Sequence, residues 1–137
     1  MNTEREGGCL CGAVRFKVRG EPVRTGVCHC LDCRRVTGSA FNYFAVWPLS
    51  VYEATGELST FAGRSFCSVC GSRVVSLGDF EAEIYLGTLD DPLGDIVPGY
   101  ELWTPRREQW LLQLPWADQF KADRDAVGKW RQPIIQF

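Results

Sequence analysis

The chain contains one histidine and one methionine in 137 residues, and that scarcity excludes several chemistries. With His29 alone, a His-Glu-x-x-His metalloprotease site is impossible, and a Ser-His-Asp triad would have to be built on that single side chain. No apolar run approaches the roughly 20 residues that a membrane-spanning helix needs. The opening stretch Met1-Asn2-Thr3-Glu4-Arg5-Glu6-Gly7-Gly8 has no apolar segment, so no secretory signal is expected. An excess of charge of either sign is also missing. The formal net charge is −2 and the 15 Lys and Arg residues are scattered, so no basic stripe is present and nucleic acid is not an expected partner. Internal repeats, linkers and charge blocks are absent, which predicts one domain spanning residues 1–137. A hydrophobic fraction of 45% with 12% aromatics excludes a disordered chain, and a chain of this length buries about two-thirds of its unfolded surface. These features predict a cytoplasmic protein with no membrane contact and reduced thiols; its oligomeric state is not legible.

What the chain does have is cysteine. Seven fall in three clusters: Cys9-Leu10-Cys11, Cys28-His29-Cys30-Leu31-Asp32-Cys33, and Cys67-Ser68-Val69-Cys70-Gly71. Seven cannot all pair as disulfides, and where thiols stay reduced, close spacing points to metal or catalysis. A closed tetrahedral zinc site uses four thiolates, and three more could hold a second zinc with one position open to water or substrate.

The rest of the chain reads as short strands. Ala13 to Val18 alternates, with Val14, Phe16 and Val18 on one face, and Gly20-Glu21-Pro22 turns it. Ala40 to Trp47 is an apolar, aromatic run between Gly38 and Pro48 and predicts a more deeply buried strand. Arg73–Leu77, Ala82–Leu86 and Tyr100–Trp103 are further strand candidates. One helix is expected near Arg106 to Leu114, where Trp110, Leu111 and Leu114 share a face and Pro115 ends the run. The fold class is therefore mainly β, with at most one or two short helices. Phe41, Tyr43, Phe44, Trp47, Trp103, Trp110, Trp116 and Trp130 are assigned chiefly to the core.

Zinc–sulfur bonds of about 2.3 Å set neighbouring sulfurs about 3.8 Å apart. Cys9 and Cys11, two apart on an extended chain, point to one face, and a Cys-x-x-Cys turn brings Cys67 and Cys70 equally close. Gly71 suits that turn because it tolerates positive φ. Cys9, Cys11, Cys67 and Cys70 would then form one closed site, leaving Cys28, Cys30 and Cys33 as a trio too local to surround an ion. The spacing also permits a second partition, in which Cys30, Cys33, Cys67 and Cys70 close a site and Cys9, Cys11 and Cys28 are left over. In the first, three thiolates on Zn²⁺ carry a net charge of −1, which Arg34 and Arg35 could balance unless they meet a substrate carboxylate. His29 points away from its cysteine neighbours and is read as supporting the site rather than ligating. Asp32 is read as stabilising its turn.

Taken together, Gly8-Cys9-Leu10-Cys11-Gly12-Ala13-Val14-Arg15-Phe16, Cys28-His29-Cys30-Leu31-Asp32-Cys33-Arg34, Gly38-Ser39-Ala40-Phe41, Arg64-Ser65-Phe66-Cys67-Ser68-Val69-Cys70-Gly71-Ser72 and Gly87-Thr88-Leu89-Asp90-Asp91-Pro92 resemble the glutathione-dependent formaldehyde-activating enzyme and centromere protein V family. The resemblance matches all seven cysteines in order and spacing. It implies a β-tent of zinc-braced antiparallel sheets, with a structural zinc on Cys9, Cys11, Cys67 and Cys70 and a catalytic zinc on Cys28, Cys30 and Cys33. The implied activity is that of a carbon–sulfur lyase, the reversible addition of a small thiol (glutathione by default) to formaldehyde or a related aldehyde. Two other functions remain as alternatives: a non-enzymatic zinc scaffold that binds a protein partner, and a thioredoxin-like redox pair at Cys30 and Cys33. The second requires a helix N-terminus within a βαβ unit, which the strand pattern does not predict.

Overall fold

Strand patterning decides the architecture, and the computed structural model, which describes residues 3–91 and 94–124, is mainly β with one α-helix. The strands are β1 (Glu4–Gly8), β2 (Arg15–Arg19), β3 (Arg24–Cys28), β4 (Asn42–Pro48), β5 (Tyr52–Thr55), β6 (Leu58–Phe61), β7 (Arg64–Cys67), β8 (Arg73–Leu77), β9 (Glu81–Tyr85), β10 (Tyr100–Leu102) and β11 (Asp118–Gln119), with α1 (Leu31–Thr37) between β3 and β4. They form a three-stranded antiparallel sheet, β1-β2-β5, and an eight-stranded sheet ordered β11-β10-β3-β4-β9-β8-β7-β6. The larger sheet is mixed, because β10 runs parallel to both β3 and β11. Among the described residues no helix is long and apolar enough to cross a membrane.

The alternation in β2 does what period two predicts: Phe16 and Val18 are buried while Arg15, Lys17 and Arg19 stay exposed. These side chains, with Val14, pack against Ala45, Trp47, Val75, Ala82 and Ile84 of the large sheet. Strand β4 lies between β3 and β9 and is apolar on both faces. Its Ala45 and Trp47 enter this first core, whereas Phe44 and Val46 enter a second one with Cys28, Cys30, Cys33, Tyr100 and Leu102. The long unbroken run at Ala40–Trp47 is thus a central strand covered on both sides.

The helix lies elsewhere than expected. Residues Arg106 to Leu114 do not form one; a single 3₁₀ turn at Thr104–Arg106 leads into an irregular path. A helix would spend its N–H groups on its own carbonyls, but the Leu114 N–H is given to the Glu101 carboxylate at 2.8 Å. Trp110 is consequently 72% exposed, and Trp116 is exposed as well, so neither belongs to the core. Trp130 and Pro92 lie outside the described residues. The helix that does form, α1, sits in the middle of the second cysteine cluster. Cys30 caps its start by accepting the Cys33 N–H, and Gly38, at φ 64°, ends it in the left-handed conformation that glycine takes without strain.

Candidate metal centres

The first centre is assembled from two distant pieces of chain. Cys9 and Cys11 lie in the turn between β1 and β2; Cys67 ends β7 and Cys70 lies in the turn that follows. All four sulfurs lie within 4.8 Å of one another. Cys9 Sγ is 3.6 Å from Cys11 Sγ, which is 3.8 Å from Cys67 Sγ. Backbone N–H groups aim at these sulfurs: Val14 N reaches Cys9 at 3.2 Å, and Val69 N and Cys70 N reach Cys67 at 3.3 and 3.4 Å. Gly71, at φ 81°, lets the chain turn so that its own N–H bonds the Cys67 carbonyl at 2.9 Å. Ser72 stitches the two pieces together, its hydroxyl accepting from Leu10 N at 3.0 Å and lying 3.2 Å from Cys70 Sγ.

Electrostatics show what such a cluster favours. Hydrogen bonds from the Ser72 side chain and backbone draw the Cys70 thiol down to about 5. Cys11 goes the other way: although a backbone bond at Ala13 favours its thiolate, burial and the neighbouring sulfurs push it up to about 11. Four thiolates packed this closely repel one another, and a dication relieves the repulsion. Two of the sulfur spacings, 3.6 and 3.8 Å, match the edge of a tetrahedron around zinc, and the all-sulfur donor set suits that metal. These residues could hold a zinc ion.

The second centre comes from one short segment. Cys28 is the last residue of β3, Cys30 caps α1, and Cys33 lies in its first turn. All three are buried thiols with their sulfurs mutually within 4.8 Å. Among the described residues, no histidine or carboxylate joins that sulfur group. Three soft donors from one side could hold a metal and leave the remaining position to something else.

The structure thus brings together Cys9 with Cys11, Cys67 and Cys70, and Cys28 with Cys30 and Cys33; the mixed grouping of Cys30, Cys33, Cys67 and Cys70 does not occur. Cys30 and Cys33 do sit at a helix N-terminus. However, β3 and β4 on either side of α1 are antiparallel neighbours, so the βαβ context of a thioredoxin-like pair is missing and a third thiol crowds the site.

Several charged and polar side chains surround the trio. Arg34 is engaged by Glu108. Asp32 faces Arg64 of β7 at 3.7 Å, and that guanidinium is buried and also donates to the Ala62 carbonyl at 2.9 Å. Tyr85 of β9 lies within the electrostatic reach of both Cys33 and Arg64; burial above all pushes its phenol up to about 12. His29 is buried and turned into the Glu101 carboxylate, Nε2 to Oε1 at 2.8 Å. Sequence reasoning missed Arg64 and Glu101. The one signal for Glu101 was a charged residue inside the apolar stretch Tyr100-Glu101-Leu102-Trp103, because a buried charge needs partners from elsewhere in the fold.

The profile of the glutathione-dependent formaldehyde-activating enzyme family matches residues 4–106, which is more than half of the chain. No curated protein matches it. Among solved structures, the crystal structure of a Rhodobacter sphaeroides protein is similar, with 26% identity and a TM-score of 0.51, over 68% of this chain and 97% of that one.

Proposed function

The chain belongs to the glutathione-dependent formaldehyde-activating enzyme family, and on that premise we propose that it is a zinc-dependent carbon–sulfur lyase. It would add a small thiol, glutathione by default, reversibly to formaldehyde or a related small aldehyde. Cys9, Cys11, Cys67 and Cys70 would hold a structural zinc, and Cys28, Cys30 and Cys33 a catalytic one. We place the protein in the cytoplasm, where thiols remain reduced.

The observation that carries the reading is the trio: three buried sulfurs within 4.8 Å of one another, supplied from one side by a single strand–helix junction. A closed structural site would not need that arrangement. When bound there, zinc supplies Lewis acidity toward a carbonyl oxygen and favours the thiolate form of a thiol. The chemistry asks for little more. The thiol sulfur bonds to the aldehyde carbon, the carbonyl π pair moves to oxygen, and the proton lost by sulfur ends on that oxygen. No oxidant or reductant is needed, and the reverse reaction breaks the same C–S bond. The protein's contribution is to hold the two partners in attack geometry, which removes much of the entropic barrier. Phe44, Val46, Tyr100 and Leu102 pack around the trio and exclude water from it. A non-enzymatic scaffold for a protein partner would need only the four-cysteine centre, and the buried trio is what disfavours it.

The test is exchange NMR on a pre-equilibrated mixture of glutathione and formaldehyde. Zinc-loaded protein should speed magnetisation transfer into the hydroxymethyl adduct, and Cys30→Ala should abolish that effect. A protein carrying two zinc ions that gives no acceleration would defeat the glutathione assignment.

A further inference from the structure

Cys28 ends β3 and Cys30, at φ −63° and ψ 160°, is extended where it caps α1, so the two cysteine side chains fall to one face and that of the residue between them to the other. Cys28 and Cys30 point into the second core with Tyr100 and Leu102. His29, between them, points to the opposite face. There it is 2% exposed, packs at 5.7 Å from the Phe41 ring, and meets Glu101 Oε1 through Nε2 at 2.8 Å. Its other nitrogen, Nδ1, is buried with no hydrogen-bond partner among the described residues. A buried donor without an acceptor is costly, so the ring's proton belongs on Nε2, where the carboxylate accepts it. This direction of donation fixes the ring.

Glu101 is itself fixed. It is 2% exposed and also accepts from Leu114 N at 2.8 Å, Gln119 Nε2 at 2.8 Å and the Arg107 guanidinium at 3.3–3.4 Å. Strand β10, which carries it, lies parallel to β3, with Glu101 opposite Val27 and Leu102 opposite Cys28. The His29 N–H continues that ladder to the Leu102 carbonyl at 3.0 Å. The middle residue of the Cys28-His29-Cys30 segment is therefore tied at two points, main chain and side chain, to one neighbouring strand.

Stability alone is a poor reason for this arrangement. Burying a carboxylate against an imidazole seldom outperforms an apolar pair of equal volume, and the site lies within a sheet that could have supplied one. What the polar pair adds is direction. We propose that Glu101, acting through His29, is a positioning residue that locks the Cys28–Cys30 segment so that the three trio sulfurs stand preset for one metal ion. The proposal rests on the trio's being a metal site and is independent of the thiol–aldehyde reaction.

The experiment compares zinc retention at the two centres in the full chain, using competition with a chromophoric chelator, for wild type, His29→Phe and His29→Gln. Phe keeps the ring volume and loses the donor. Gln places an amide N–H near the position of the ring Nε2. The expected result is that His29→Phe weakens zinc at the trio by about 10–100-fold, the range for losing a partner that supports metal ligands. His29→Gln should restore most of that affinity, while the four-cysteine centre stays at its wild-type value in both and serves as the internal reference. A general loosening of the fold would move both centres and would not be rescued by Gln. Cobalt-substituted protein gives a second readout, with the trio's ligand-field bands displaced in the Phe variant only. Should His29→Phe fail to fold, Glu101→Gln takes its place, with weakened zinc at the trio alone as the expected result. Equal zinc retention at the trio in His29→Phe and wild type, or no rescue by Gln, overturns the proposal. A wild-type protein that takes up only one zinc overturns it together with the metal reading of the trio; two zinc ions without lyase activity would defeat the proposed reaction alone.

Discussion

Cys11 Sγ and Cys67 Sγ stand 3.8 Å apart although 56 residues separate them in the chain. A metal at that point closes a long loop and ties the three-stranded sheet to the end of β7. Structural zinc is worth on the order of 10 kcal/mol in small domains, comparable with the roughly 5–15 kcal/mol that holds an entire domain together. Cys67→Ser is accordingly expected to abolish the cooperative melting transition, as should a strong chelator acting on the wild type. Near-ultraviolet circular dichroism during heating checks this; a Cys67→Ser protein melting as sharply and as high as wild type would show that the first centre is not structural.

The trio should behave differently, because its residues already belong to a strand end and a capped helix. Serine at an N-cap accepts the same N–H bond as cysteine, so Cys30→Ser keeps the cap to Cys33 N that the structure shows at 3.3 Å. The expected variant is folded, melts within a few degrees of wild type, and carries one zinc instead of two by metal analysis. Two tightly held zinc ions in Cys30→Ser would mean that Cys30 is no ligand.

Much of this was legible in local patterns. Arg15-Phe16-Lys17-Val18 declares its strand by alternation, and the run ending at Trp47 declares a buried one. Cys-x-Cys and Cys-x-x-Cys spacings made clusters expected, while spacing alone left two partitions open. What stayed hidden depends on distant partners. Strand β3, Arg24-Thr25-Gly26-Val27-Cys28, has no alternating pattern; Gly26 is there because a Cβ would lie 2.9 Å from the Tyr100 ring and 3.1 Å from that of Phe44. Helix α1 has seven residues with only Cys33 buried, so no apolar stripe announces it. Conversely, Trp110 and Leu114 have helical spacing, but the Glu101 carboxylate claims the Leu114 N–H.

Arg64 offers a test of the charge around the trio. Its guanidinium is buried against Asp32 at 3.7 Å and the Ala62 carbonyl at 2.9 Å. Arg64→Met keeps most of the apolar stem and removes both partners' donor. Because Asp32 remains partly exposed and can recover some hydration, the expected loss is about 1–3 kcal/mol, below that of a fully buried pair. Asp32→Asn leaves the more deeply buried Arg64 guanidinium with only the Ala62 carbonyl as partner among the described residues and should cost at least as much. Urea unfolding of the zinc-loaded variants measures both, and a loss for Asp32→Asn well below that for Arg64→Met would contradict this account of the pair.

Glu101 should leave a signature in acid. Burial by itself would raise its carboxyl, but hydrogen bonds from Gln119, the Leu114 N–H and His29, with the charge of Arg107, outweigh burial and hold it at about 2 instead of 4.5. A depressed folded-state value means that the ionised form is favoured by folding, so the contribution is fully present above pH 4.5. It is lost as pH falls from there toward 2, where the folded protein also takes up the proton. Glu101→Gln cannot titrate at this position. Both proteins are compared in the Cys30→Ser background, where the trio carries no zinc, so the weaker trio affinity expected of Glu101→Gln does not enter; metal release from the four-cysteine centre in acid affects both alike and drops out of their difference. The protein with Glu101 should therefore exceed Glu101→Gln in stability at pH 6, and the gap should begin to close below about pH 4.5. Urea midpoints for the two proteins, taken stepwise from about pH 6 to pH 3.5, read that gap directly. A gap that stays constant across the range would mean that the Glu101 carboxyl titrates alike in the folded and unfolded chain, and the bonds drawn to it by His29, Leu114 and Gln119 would then carry none of the charge stabilisation assigned to them.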